Sequence, residues 1–349
     1  MRPFTIATVC LLIAVPAMAG VKPKPTGESI VSANAKLELL YTRSAKIHYG
    51  LTEGPAVAPD GSIYFSDIPF GKDNGMIMRF DPQTMLTTVF LNDSRKSNGL
   101  LFDSEGFLLA CQGSDYGGRQ VARFYVETGK SVTVADRYRG RRFNAPNDLC
   151  LDTQGRIYFS DPRYLGDEPR ELKDRAVYRI DTDGTVIEVT HNISKPNGIS
   201  LSPDEKTLYV ADHDNGTDQI DPSKPEPQQG DMKIYAFRLG KDGRVTGKRQ
   251  TLVDFGEEKG CDGMTVDAQG NIYLTVRSAA RPGVKVINPK GKEVAFIPTG
   301  PPNQKAGAAS PGLPSNVEFG IGDESNVLYV TVDKSLYRIR LKVNGYRAQ

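Results

Sequence analysis

Glu53, Asn98, Asn147, Asn197, Asp262 and Asn316 stand in equivalent places in the sequence. Each carries a carboxylate or a carboxamide, and each opens a short apolar run. Four lead directly into glycine, as Glu53-Gly54, Asn98-Gly99, Asn197-Gly198 and Asp262-Gly263. Asn, Asp and Gly are ordinary turn formers, and that explanation serves any one position. It serves six less well. Glu53 is not a turn former, and Pro55, Pro146 and Pro196 already supply turn chemistry beside three of the positions. Gathered around one axis, hard oxygen donors of this kind suit a Ca²⁺-like cation better than one that favours thiolate or imidazole.

Other chemistries find less support. The three histidines, His48, His191 and His213, fall in separate sequence contexts, and no G-x-S-x-G phrase offers an exposed nucleophile. His213 is expected at the rim of the same site. Cys261 adjoins Asp262 but reads as a small packed residue, with no paired thiol for zinc. DTDG at 181–184 is a turn, because an EF-hand loop begun there needs Glu where Asn192 stands.

The elements that would gather the six residues come from a repeat. A turn followed by an apolar–aromatic–apolar strand recurs as DGSIYFSD (60–67), SEGFLLACQ (104–112), QGRIYFSD (154–161), DEKTLYVAD (204–212), QGNIYLTV (269–276) and ESNVLYVTV (324–332). The aligned positions Tyr64, Leu108, Tyr158, Tyr209, Tyr273 and Tyr329 lie 44 to 64 residues apart. Each copy has a short β-branched or aromatic run before it and another after it, and five have a fourth. This predicts an all-β, six-bladed β-propeller with four strands per blade. The sixth copy lacks its last strand. KLELLYTR (36–43) alternates apolar and polar residues and is expected to close the ring by completing that blade. In such a ring the inner-strand starts and the loops after the second strands meet at one channel mouth. The long loops 161–175, 213–231 and 299–315 belong to that face and are expected to set access, either as flexible lids or as plain solvated insertions.

Composition agrees with a turn-rich globular chain. The 349 residues include 35 Gly and 23 Pro, and 44 basic residues nearly balance 42 acidic ones. A net charge of +2 excludes a strongly basic nucleic-acid binder, and a mean hydropathy of −0.40 excludes a polytopic membrane protein. Arg2, the apolar run from Phe4 to Val15 and Ala17-Met18-Ala19 predict a cleaved signal peptide over 1–19 and a secreted or periplasmic product. Residues 20–35, with KPKPTGES, read as a solvated linker, and 36–349 as the propeller. Cleavage leaves Cys111, Cys150 and Cys261, so a disulfide framework is excluded.

The phrases TEGPAVAPDGSIYFSD, RRFNAPNDLCLDTQGRIYFSDPRY, KPNGISLSPDEKTLYVAD and CDGMTVDAQGNIYL, in this order, resemble the regucalcin and gluconolactonase family of six-bladed lactonases. The resemblance spans residues 50–340. It implies one divalent cation on the axis, Ca²⁺ first with Zn²⁺, Mg²⁺ or Mn²⁺ left open, held by Glu53, Asn197 and Asp262. It makes Asn147 a further ligand or a contact to water and substrate, and Arg142 a contact to substrate hydroxyls. The implied activity is opening of a sugar-type lactone, with Asp262 as base and Asn147 orienting the water or the developing oxyanion. The implied partner is a small lactone or sugar acid; together with the composition this leaves no nucleic acid and, after signal cleavage, no membrane as expected partners. A propeller that keeps the metal ring without turnover is the competing class.

Overall fold

The computed structural model describes residues 23–43, 50–69, 72–218, 228–300 and 312–348. The expected signal peptide, His48, and parts of the loops 213–231 and 299–315 lie outside the described residues. Among those described, the regular secondary structure is all strand apart from one 3-10 turn at Gly322–Glu324.

Six four-stranded antiparallel sheets follow one another around the ring. Their innermost strands are β2 (Leu51–Val57), β6 (Ser97–Phe102), β12 (Leu149–Leu151), β16 (Pro196–Leu201), β20 (Cys261–Val266) and β24 (Pro314–Phe319). Blades one to five each complete four strands in chain order, as in β2, β3 (Ile63–Ile68), β4 (Met76–Asp81) and β5 (Leu86–Leu91). The repeated aromatic has a packing reason. It stands on the second strand of its blade and is buried. Tyr64 meets Phe102 of blade two edge-on at 5.2 Å, and Tyr273 meets Phe319 of blade six at 5.1 Å. The tyrosines thus help join neighbouring blades as well as filling their own.

The ring closes as the alternating N-terminal segment predicts. β1 (Glu38–Thr42) adds to β26 (Ser335–Arg340), with Glu38 opposite Arg338 and Thr42 opposite Ser335. The Glu38–Arg338 ion pair at 2.7 Å and the Thr42–Ser335 hydroxyl contact at 2.9 Å fix the register. A paired outer strand covers an edge that an open sixth blade would expose.

The expected linker needs correction. Thr26 pairs with Phe296 on the rim of blade five, and the Lys342 ammonium donates to the Glu28 carbonyl at 2.6 Å. Ile30 and Val31 are buried in the core cluster shared by blades five and six. The polar run KPKPTGES masked an apolar pair, Ile30-Val31, that the sheet edge accommodates. Gly27 makes the approach possible: its φ is +94°, and a Cβ there would stand 2.4 Å from Ala295. At the other end, the Tyr346 N–H donates to Val266 and Arg347 donates to the Val57 carbonyl, which draws the C-terminal segment across the base of the channel.

Candidate functional site

The six ring positions converge because the inner strands bulge there. Pairing of the first two strands shifts register between Glu53 and Ala56, Ser97 and Leu100, Pro196 and Ile199, Cys261 and Met264, and Pro314 and Asn316. A bulge re-aims a side chain that regular alternation would send into the blade. Blade three differs: Asn147 and Asp148 precede β12, held by the Asn147 N–H on the Ser160 carbonyl and the Ser160 N–H on the Asp148 carbonyl, both at 2.9 Å.

The glycines after the ring residues answer the turn-former question. Only Gly54 has a positive φ, +45°. At the other three the limit is space. A Cβ on Gly99 would meet Asp148 Oδ1 at 2.5 Å, one on Gly198 the Asp262 carbonyl at 2.4 Å, and one on Gly263 the Asn316 amide at 2.1 Å. Glycine therefore lets adjacent inner strands close around the axis.

The result is a buried acidic centre. Glu53, Asn147, Asp148, Asn197, Asp262 and Asn316 are all at most 9% exposed. Burial, then Asp262, then Asp148 push the Glu53 carboxyl well above the usual range, although its Oε2 accepts the Gly54 N–H at 2.8 Å. Burial first of all raises Asp148 to about 7, against the Leu149 N–H and the Asn316 amide that bond its charged form. Glu53 has no cationic side-chain partner among the described residues. Asp262 has one: Arg277 Nη1 stands 3.3 Å from its Oδ2. Asn98 Oδ1 is buried without a hydrogen-bond partner.

This donor set fits a divalent cation of the oxygen-seeking kind. Clustered carboxylates that repel one another, with a free carboxamide oxygen beside them, are what a hard cation neutralises. Among the described residues no three Asp, Glu, His or Cys side chains could hold a metal by themselves, so the carboxamides are integral to any such site.

Beside the axis lies a pocket whose walls are Ile68, Pro69, Ala145, Pro146 and Leu165, with Lys96, Asn98, Ser114, Asp115, Asn147 and Tyr164 as polar members. Arg142 stands on a hairpin of β10 (Arg137–Tyr138) and β11 (Arg141–Arg142) and does not line this pocket. Its Nη2 donates to the Gly118 carbonyl at 2.6 Å, and its backbone N–H to Glu171. His213 is buried rather than at an open rim, with Nδ1 against the Cys261 carbonyl at 2.9 Å, and burial lowers its pKa. Cys261 is packed, and all three described cysteines are free.

Three residues of the site are absent from the sequence-based set of roles. Asp148 was visible only as the residue after Asn147. Arg277 follows the second strand of blade five, where it reaches back to Asp262 with nothing in its local sequence to mark it. Tyr164 has a signal, being an aromatic within the polar phrase DPRYLGDEPR.

The profile of the SMP-30/gluconolactonase/LRE-like region matches residues 51–334, most of the chain. The protein belongs to this family. A gluconolactonase of Zymomonas mobilis is 27% identical over 345 residues, covering 93% of this chain and 86% of that one. The structure of a gluconolactonase from Xanthomonas campestris superposes with a TM-score of 0.71 at 26% identity, over 92% of this chain and 95% of the other. The calcium-binding protein regucalcin of Agrobacterium tumefaciens shares the fold at a TM-score of 0.65 and 18% identity, over 88% and 95% of the two chains. Lactone hydrolysis is the activity of the named enzymes in this family that the chain matches, and the six-bladed arrangement is common ground with its solved members.

Proposed function

We propose that the protein opens a sugar-type lactone at the channel mouth, with a divalent cation held by Glu53, Asn197 and Asp262 and with Asn147 as a further ligand or substrate contact. The observation that carries this is Glu53: a buried carboxylate repelled by the charges of Asp262 and Asp148, with no cationic side chain to balance it among the described residues. Such a group is stable as an anion only with a positive partner. The all-oxygen donor set and the calcium-binding fold relative support Ca²⁺, with Mg²⁺, Mn²⁺ and Zn²⁺ as the alternatives to test.

A bound cation of this kind would supply Lewis acidity, polarising the lactone carbonyl and making a nearby water more acidic. The chain's own residues do the rest. Asp262, with the Arg277 guanidinium 3.3 Å away, accepts the proton of the attacking water and returns it to the ring oxygen as the acyl C–O bond breaks. Asn147 donates its amide to the oxygen on which charge develops. The hydrocarbon face of the ring rests on Ile68, Pro69 and Pro146. Arg142 Nη2 is engaged by the Gly118 carbonyl, so a contact to substrate hydroxyls falls to its other guanidinium N–H groups.

The test is a lactone panel assayed with chelator-treated and metal-restored protein. Turnover should vanish on chelation and return with one cation. Metal uptake without turnover of any lactone would leave a binding propeller in its place. The apolar run and small-residue motif before Gly20 support export to a secreted or periplasmic compartment. An intact Met1 in the exported protein, read by mass spectrometry, would overturn that placement.

A further inference from the structure

Asn197 is the ring residue whose orientation the structure determines most completely. A carboxamide has two unlike faces, an acceptor oxygen and a donor nitrogen, and only the oxygen can ligate a cation. The Tyr164 hydroxyl makes two contacts. It lies 3.1 Å from the His213 backbone carbonyl, which can only accept, so the single phenolic proton is committed there. Its oxygen can then only accept in turn, and the Asn197 Nδ2 donates to it at 2.9 Å. The proton inventory thus settles the amide face that geometry alone leaves open. Asn197 Oδ1 is left without a hydrogen-bond partner among the described residues.

Tyr164 is itself firmly held. The Lys195 ammonium sits 4.9 Å from its ring centroid, and the His213 ring packs edge-on at 6.3 Å. Lys195 is tied to Asn215 Oδ1 at 2.7 Å. The neighbouring Arg163, almost fully buried, donates to the carbonyls of Gly166 and Glu168. The loop after the second strand of blade three therefore does more than frame the mouth: it delivers a fixed hydroxyl beneath it.

We propose that Tyr164 is a positioning residue that locks the Asn197 carboxamide with its oxygen free and its nitrogen turned away from the axis. This rests on the metal reading above. Without the hydroxyl, the amide can rotate and present its NH₂ to the cation. Loss of such an outer contact weakens metal sites by about 10- to 100-fold.

The experiment titrates Ca²⁺, Mg²⁺, Mn²⁺ and Zn²⁺ separately into the chelator-treated full mature chain by calorimetry. The variants are Tyr164→Phe, Asn197→Asp and the double substitution, with metal-free melting temperatures recorded alongside. Tyr164→Phe should weaken the best-bound cation about 10-fold or more, with the metal-free melting temperature little changed. In the Asn197→Asp background both faces of the side chain are oxygen, so the same substitution should cost less than about threefold. A Tyr164→Phe protein that binds the cation as tightly as the parent overturns the inference. So does an equal penalty in both backgrounds, which would mark general loosening of the mouth. A parent chain that binds none of the four cations overturns the metal reading itself and the inference with it.

Discussion

Replacing Asp148 by Asn should make the metal-free protein more stable, and by an amount that grows with pH. Its carboxyl is buried among like charges, and its pKa rises from 3.8 to about 7 on folding. A carboxyl whose folded pKa exceeds its unfolded value binds more protons when folded, so its contribution falls as pH rises between the two and stays low above them. At about 1.36 kcal/mol per unit, the full shift amounts to roughly 4 kcal/mol at pH 8. At pH 5 only the first part of the window has been crossed, and the penalty is under about 2 kcal/mol. The amide retains an oxygen for the Leu149 N–H but turns its NH₂ toward that of Asn316, a loss of about 1 kcal/mol. The net gain should be about 3 kcal/mol at pH 8 and under about 1 kcal/mol at pH 5. Urea unfolding in chelator at the two pH values reads it directly. A variant less stable than the parent at both, or a gap independent of pH, would refute the picture of a charge-stressed centre. The same substitution should weaken cation binding, since it removes part of the field that attracts the cation.

Asp262→Asn should lose the cation and also the base, lowering kcat by about 10² or more; activity at the parent rate in a metal-free variant would remove Asp262 from both roles. A chain beginning at Arg43 loses β1 together with the Ile30-Val31 anchor and leaves β26 as an open edge. Light scattering during a thermal ramp should show aggregation well below the parent's transition, and a monomer of unchanged stability would contradict closure. His213→Ala should leave metal content intact but cost about 1–3 kcal/mol in urea unfolding, because the Cys261 carbonyl loses a buried donor. No loss of stability would show that contact to be incidental.

The blades were legible because each must solve the same packing problem. A buried aromatic on the second strand meets the neighbouring blade, and that need writes the IYFSD-like phrase repeatedly into the sequence. Closure was legible for a related reason: a missing strand at one end and an alternating segment at the other leave one way to cover the edge. The docking of Ile30 and Val31 was not, since two apolar residues in a polar run carry no periodicity and find their place only against an edge formed by distant residues. The shortness of β12 was hidden too, because NDLCLD reads like the other inner strands until the backbone bonds of Asn147 and Asp148 are seen to replace part of its ladder.

At the site, the residues that interrupt a strand were visible, and of those that reach in from elsewhere only Tyr164 left a mark, as an aromatic in a polar phrase. Glu53, Asn197 and Asp262 declare themselves by standing at the head of an apolar run with glycine behind them. That glycine is required by the neighbour's approach more than by its own backbone angle, which is why a turn explanation accounts for one position and fails for the set. Arg277 and Tyr164 arrive from loops whose local sequence serves no repeat, so only the fold brings them to Asp262 and Asn197. The division has a physical basis. Inner strands must place donors at fixed positions on the axis, and the constraint recurs in every blade. The groups that neighbour or orient each donor need only be within reach, and each blade meets that need differently. Substitutions on the inner strands should therefore change whether a cation binds, whereas substitutions at Arg277 or Tyr164 should change how well the bound site is tuned.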